Sequence, residues 1–175
     1  MSFETVFLIL LVAQGLMGGF DTVVNHELMH HLPRHSSSRT EVGLHALREL
    51  VYVLLFAGSG WFVWHGWLAT LPIGLLIAEF LVSTMDEFIE NQTRVLPQNE
   101  RVLHAFLTLN IGLLLAVSVF ICADWISYPA DLIVRDPDFF AWGLSFLAVT
   151  SLIWAIRDFA AWLRLPRQHG TRKTP

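Results

Sequence analysis

An all-α integral membrane bundle of about five transmembrane helices is the fold this sequence predicts. Three observations predict it. Hydrophobic residues make up 54% of the 175 residues and charged residues only 15%, with a mean hydropathy of +0.55, whereas a soluble domain carries about 25% charged residues. Five apolar segments recur along the chain, at 3–20, 50–64, 67–85, 102–123 and 139–163. The positive charges also divide unequally between alternate connections, as they do in multi-pass membrane proteins.

The first segment lacks the basic start and the small-x-small cleavage site of a signal peptide, so it reads as a retained helix. Several segments fall short of the roughly 20 residues that span a bilayer core. Each short one continues as an amphipathic helical pattern: the first to about residue 31, the second from about 41, the third to about 94. Pro33 with Ser36, Ser37 and Ser38 separates the first helix from the second, and His65-Gly66 makes a short turn before the third. Pro97-Gln98-Asn99 precedes the fourth, with Asn99 expected as the N-cap of a helix beginning at Glu100. Residues 128–138 form the longest loop ahead of the fifth helix. Residues 1–165 make one transmembrane domain, with the first four helices expected to form an antiparallel bundle around a polar site and the fifth packed alongside. Residues 166–175 are a polar, basic tail. Trp61, Trp64 and Trp67 cluster near the outer turn, as an interfacial aromatic belt does.

Of the 11 Lys and Arg residues, only Arg135 falls on one side, in the company of Asp124, Asp131, Asp136 and Asp138. The other ten fall on the opposite side, which this bias makes cytoplasmic. The N-terminus is then outside, the C-terminus inside, and the location an inner membrane if the source is bacterial. The net charge of −4 offers no basic footprint for nucleic acid. The single cysteine, Cys122, lies in an apolar run and reads as a small buried hydrophobe.

Four polar clusters interrupt the apolar pattern: Asp21 to His35, Glu41 to Glu49, Glu79 to Arg94, and Glu100 to His104. All four fall at the cytoplasmic end. Residues three, four or seven apart share a helix face, so Glu41, His45 and Glu49 form one stripe, Glu79, Asp86 and Glu90 another, and Glu100 and His104 a third. On the first helix, His26, Glu27, His30 and His31 offer several pairings. Counting outward from the turns places Glu90 opposite His104 and Glu27 opposite His45, with Glu49 and Asp86 a little deeper. Glu79 lies about 10 Å beyond Asp86 along its helix, the place of a proton-relay or substrate-pocket group. Histidines and carboxylates from four helices are how a bundle holds two metal ions. A mixed nitrogen and oxygen donor set suits iron or manganese better than copper(I). Arg48 and Arg101 are expected to orient the carboxylates. Snorkelling and pairing of helix-end charges is the plainer account of any one of these residues.

His26-Glu27-Leu28-Met29-His30 matches H-E-x-x-H and so resembles the zinc metalloproteases, its place at a helix end being similar to an intramembrane protease. That resemblance implies Glu27 as general base and Asp86 or Glu90 as a third ligand. His26 to His31 also resembles one histidine box of the membrane fatty-acid desaturases and hydroxylases. The arrangement over roughly residues 21–110 resembles the four-helix di-iron sites of alternative oxidases and ferritin-like proteins, with His45-x-x-x-Glu49 and Glu100-x-x-x-His104 in place of paired E-x-x-H motifs.

The expected metal ligands are therefore His26, Glu27, His30, His31, His45, Glu49, Asp86, Glu90, Glu100 and His104, and the expected catalytic groups Glu27 and Glu79. The expected function is a metal-dependent, two-iron membrane oxidoreductase acting on a lipid, quinone or other apolar substrate. Zinc and manganese are the alternative metals. With no G-x-G-x-x-G fingerprint, reductant comes from a partner protein or quinol. An intramembrane zinc hydrolase and a non-enzymatic subunit handling metal or protons are the alternatives.

Overall fold

The computed structural model describes residues 1–29, 38–93 and 95–166. Helix α1 (Phe3–Asp21) starts on Ser2, whose side chain accepts a hydrogen bond from the Thr5 amide at 3.2 Å. It runs directly into a π-helical segment, Thr22–Met29. Helices α2 (Arg39–Trp61), α3 (Thr70–Thr93), α4 (Gln98–Trp125) and α5 (Phe139–Arg164) follow, the last capped by Asp138 on the Ala141 amide at 2.8 Å. Among the described residues, five helices are long and apolar enough to cross a membrane, α1 counted through Met29. The apolar segments of the sequence form the larger part of these helices, the second running on into residues 62–64, and the amphipathic extensions supply the missing turns.

One core joins all five. Leu11 of α1, Leu55 and Phe56 of α2, Leu76 of α3, Leu114 of α4 and Leu144 of α5 pack together, fully buried. Around it the usual distribution is inverted. Leu16, Phe20, Leu54, Leu81, Phe106 and Ile153 are among many large apolar side chains that face outward, while Asp21, His26, His45, Glu79, Asp86, Glu90 and Glu100 are buried. An apolar exterior on this scale is far beyond the patches of a soluble monomer.

Three expectations are corrected. Asn99 does not cap α4: the helix starts at Gln98 with Pro97 at the cap position, and Asn99 instead donates to Asn25 at 3.4 Å. Proline suits a helix start because its missing N–H would be unpaired there. The long loop before α5 is partly ordered as a strand. β1 (Phe62–Trp64) pairs antiparallel with β2 (Leu132–Val134), Val63 opposite Ile133. Both tripeptides are aromatic or branched, the residues a pleated ribbon favours. Helix α5 is also no mere neighbour of the first four. Its interface with α2 is the broadest in the molecule, and it touches α1 as well. Gly43 and Gly60 permit this, since a Cβ there would lie 2.8 Å from Trp162 and 3.2 Å from Leu144.

The turn between α2 and α3 depends on Gly66, which opens a short 3-10 turn (Gly66–Ala69) with φ +63° and whose added Cβ would sit 2.6 Å from the Ala130 Cα. Its position therefore holds the ribbon's return loop close against the α2–α3 connection. Gly66→Ala is expected to cost about 1–3 kcal/mol from the left-handed backbone alone, with backbone overlap in addition. The measurement is thermal unfolding in detergent, and an unchanged midpoint would remove this role.

Candidate metal centre

The polar side chains that converge do so from five elements. Asp21 ends α1, His26 lies in the π-helical segment, His45 is near the start of α2, Asp86 and Glu90 are near the end of α3, and Glu100 and His104 open α4. The conversion of the chain to π geometry after Asp21 makes this possible. In an α-helix, at 3.6 residues per turn, residues five apart point about 140° away from each other. A π-helix repeats its hydrogen bonds at i→i+5 and so aligns them. Asp21 and His26 accordingly face the same point, with His26 Nε2 3.3 Å from Asp21 Oδ2. Asn25 fixes the other carboxylate oxygen by donating to Asp21 Oδ1 at 2.7 Å.

Around Asp21 Oδ2 sit two imidazoles, His26 on one side and His104 Nε2 at 3.3 Å on the other. His26 Nε2 is also 3.6 Å from Glu100 Oε1 and 3.8 Å from Glu90 Oε1. Glu90 reaches in both directions, its Oε2 lying 3.8 Å from His104 Nδ1. The opposite nitrogen of His26 is 3.1 Å from His45 Nδ1, the two rings stacked at 4.3 Å. His45 Nε2 then meets Asp86 Oδ2 at 2.9 Å, and Arg48 donates to the same oxygen at 3.2 Å. Glu41 is buried near His45.

Two overlapping donor groups result: Asp21, His26, Glu100 and His104, and His26, His45 and Glu90, the donor atoms of each lying within 4.8 Å of one another. Ligand atoms around an ion with bonds of about 2.0–2.1 Å are about 3.4 Å apart in a tetrahedron. The separations of 2.9 to 3.8 Å in this cluster are of that size. Asp86 Oδ1 and His26 Nε2 are buried and make no hydrogen bond among the described residues. Buried polar atoms are seldom left so, and a cation is one way to satisfy them. With acids ionised and imidazoles neutral, Asp21, Asp86, Glu90 and Glu100 against Arg48 leave a formal charge of −3.

Of the expected ligands, His26, His45, Asp86, Glu90, Glu100 and His104 are brought together. Glu90 and His104 face each other at one level, as the count from the turn predicts. His30 and His31 lie outside the described residues. Glu27 is not with the cluster: it is half-buried and paired with Arg157 of α5, which also holds Asp158 at 2.6 Å. Glu49 instead lines a cavity with Ser151 of α5. Arg101 is exposed, whereas Arg48 takes the orienting role. Asp21 was not among the expected ligands, because α-helical spacing separates it from His26.

Glu79 lies deeper, apart from the donors, as its position in the helix predicts. It is fully buried, and Tyr52 Oη and Ser83 Oγ both donate to its Oε1 at 2.8 Å. Tyr52 Oη accepts from Gln14 Nε2 at 2.8 Å, and Gln14 Oε1 accepts from Asn110 Nδ2 at 2.7 Å. These partners were missed, although single polar residues in apolar helices are the signal that finds them. A polar cavity of about 40 Å³, bounded by Asp21, Asp86, Glu90, Tyr52 and Glu79, joins this chain to the donors. It exceeds the roughly 10–15 Å³ one water needs, and its walls are polar enough to hold water. Comparison with protein-family models, with curated proteins and with solved structures finds no match to the chain.

The geometry separates two carboxylates that the sequence ranks the other way. Asp21→Asn should reduce binding of added ferrous iron strongly, and Glu27→Gln should leave it unchanged. Arg48→Gln, which releases Asp86, should weaken binding about 10- to 100-fold, as loss of a ligand's supporting hydrogen bond does. Isothermal titration or metal analysis after dialysis checks all three. Equal loss in the Asp21 and Glu27 variants would show that the pairing with Arg157 does not decide Glu27's role.

Proposed function

We propose that the chain is an integral-membrane, metal-dependent oxidoreductase with a two-iron centre, acting on a lipid, quinone or other apolar substrate. The helices span the membrane in antiparallel order, with the centre and the C-terminus on the cytoplasmic side and the N-terminus outside. The ten-to-one distribution of basic residues supports that orientation. The observation that carries the reading is the convergence of seven donors, three imidazoles and four carboxylates, from successive helices onto one buried cluster.

Seven donors exceed the four positions that a single zinc ion ordinarily takes. They match the carboxylate-rich, histidine-completed sets that hold two ions in helical bundles. The donors are nitrogen and oxygen only, the chemistry that iron and manganese favour. Glu90, whose two oxygens face different histidines, would be one of the carboxylates that hold the ions. Bound iron would supply one-electron chemistry toward oxygen. The chain's own residues would fix the ions, hold a proton along the Tyr52–Glu79 hydrogen bond, and limit bulk water by the burial of the donors. Electrons would come from a partner protein or a quinol.

The zinc-hydrolase alternative asks Glu27 to act beside a metal on His26 and His30. Its pairing with Arg157 turns it elsewhere, so no observation favours that reading. Metal analysis of protein purified in lipid nanodiscs tests the proposal. About two iron atoms per chain are expected. One zinc per chain would replace it with the hydrolytic reading, and no metal after anaerobic purification would overturn both.

A further inference from the structure

A second cavity, of about 310 Å³, opens between α1, α2 and α5. This volume is in the range of small-molecule sites, which are mainly apolar with a few placed polar groups. Its apolar part is formed by Phe20, Val23, Phe56, Phe146 and Leu147. Phe20, Val23 and Phe146 are exposed, so the mouth faces the surroundings of the helices and not the helix ends. On α1 the wall has no side chain at two positions, since a Cβ on Gly18 or Gly19 would meet nothing within 4 Å. One turn earlier Gly15 does the opposite, closing the slot where its Cβ would lie 2.6 Å from Leu147.

The polar end is shared with the cavity beside the donor cluster. Gln14, Gly18, Arg48 and Tyr52 bound both, so the two spaces meet at the Arg48 side chain that holds Asp86. The charge at this junction selects the ligand. Glu49, which is not among the donors, lines the same cavity wall beside Arg48, so a guest meets one positive and one negative group there whether or not the donors hold metal. An anionic head would lie against the Glu49 carboxylate, whereas a neutral carbonyl oxygen can accept a hydrogen bond from Arg48.

The geometry points to the lateral cavity as a binding site for a neutral carbonyl-bearing lipid with one apolar chain, its carbonyl at Arg48 and its chain extending toward Phe56 and Phe146. This deepens the proposed function by naming the substrate class, and it rests on that reading only for the chemistry at the metals. An isoprenoid-type quinone and a fatty acyl ester or aldehyde share the required head.

Photoaffinity labelling of the full chain in nanodiscs tests it, using an azidoquinone, a diazirine-tagged fatty acid methyl ester and the corresponding free fatty acid. Labelled peptides are mapped and iron is measured on the same samples. At least one neutral probe should label residues 14–23 or 146–154, and which of the two does so identifies the source. The free acid should label these residues about ten-fold less, a difference of about 1.4 kcal/mol. Gly19→Leu, at a wall position of the lateral cavity alone, should suppress labelling with iron content retained, and Gly74→Leu, at another glycine with open space around it, should not. Labelling confined to other helices, labelling unaffected by Gly19→Leu, or equal labelling by the free acid would overturn the site. Mapping on the unsubstituted protein decides the first of these whether or not the variants fold. Failure of labelling with iron bound defeats the cavity alone, and labelling without bound metal defeats the two-iron reading alone.

Discussion

Among the described residues, four carboxylates share one buried space with the Arg48 guanidinium, and the rest of the molecule is arranged around that constraint. Removing a charge from water costs several kcal/mol even after relaxation, so Asp21, Asp86, Glu90 and Glu100 cannot be gathered by packing alone. Three imidazoles lie among them at 2.9 to 3.8 Å. Two divalent cations would turn the formal −3 of the cluster into a small positive charge. Protons on the three imidazoles would neutralise it as well, as ion pairs with the neighbouring carboxylates, but would leave Asp86 Oδ1 without a hydrogen bond among the described residues. The π-helical segment is explicable in these terms. It costs regular hydrogen-bond geometry on α1, and its return is a second ligand on the face that already carries Asp21.

The other buried polar groups show what self-sufficient pairing looks like in the same interior. Arg157 closes on Glu27 and Asp158, joining the π-helical segment to α5, and its guanidinium lies 4.0 Å above the Trp154 ring. Asn110, Gln14, Tyr52 and Glu79 form a directional chain in which each donor has an acceptor. Such networks tie helices together and need no ligand. The donor cluster differs from both in gathering three imidazoles and four carboxylates within ligand separation of one another. That density of nitrogen and oxygen donors at one point sets the candidate centre apart from charges that meet in pairs.

The helices, their extensions and the shared end of the polar clusters were legible because each rests on a long-period pattern. Apolar runs locate the spans, and segment order forces residues 21–26, 45, 86–90 and 100–104 toward each other. The level at which Glu90 meets His104 followed from counting along two regular helices joined by a short turn. What depended on local geometry was not legible. Asp21 and Glu27 exchange places because the helix changes pitch between residues 22 and 29, and no periodicity argument that assumes 3.6 residues per turn can see this. The ribbon was hidden for another reason: its strands are three residues each and pair across a separation of about seventy residues, too short and too distant for an alternation signal. The weight of α5 was missed because small residues at its interface, such as Gly43 and Gly60 of α2, mark close approach only once the partner is known.

The pairing of helices also determines how the centre can be reached. Helix α2 is held chiefly by α5 and α3, and α1 chiefly by α4, while α1 and α2 touch each other little. The lateral cavity occupies the resulting seam between α1, α2 and α5, and Arg48 stands at its inner end with one N–H on Asp86. A guest entering there would approach from the apolar flank, next to the same guanidinium that positions a donor. Access through a seam between helix pairs requires no opening of the polar end, where added water would weaken every electrostatic interaction that holds the cluster. The proposed apolar substrate and a buried, charge-rich centre would thus be accommodated by one feature, the weak contact between α1 and α2.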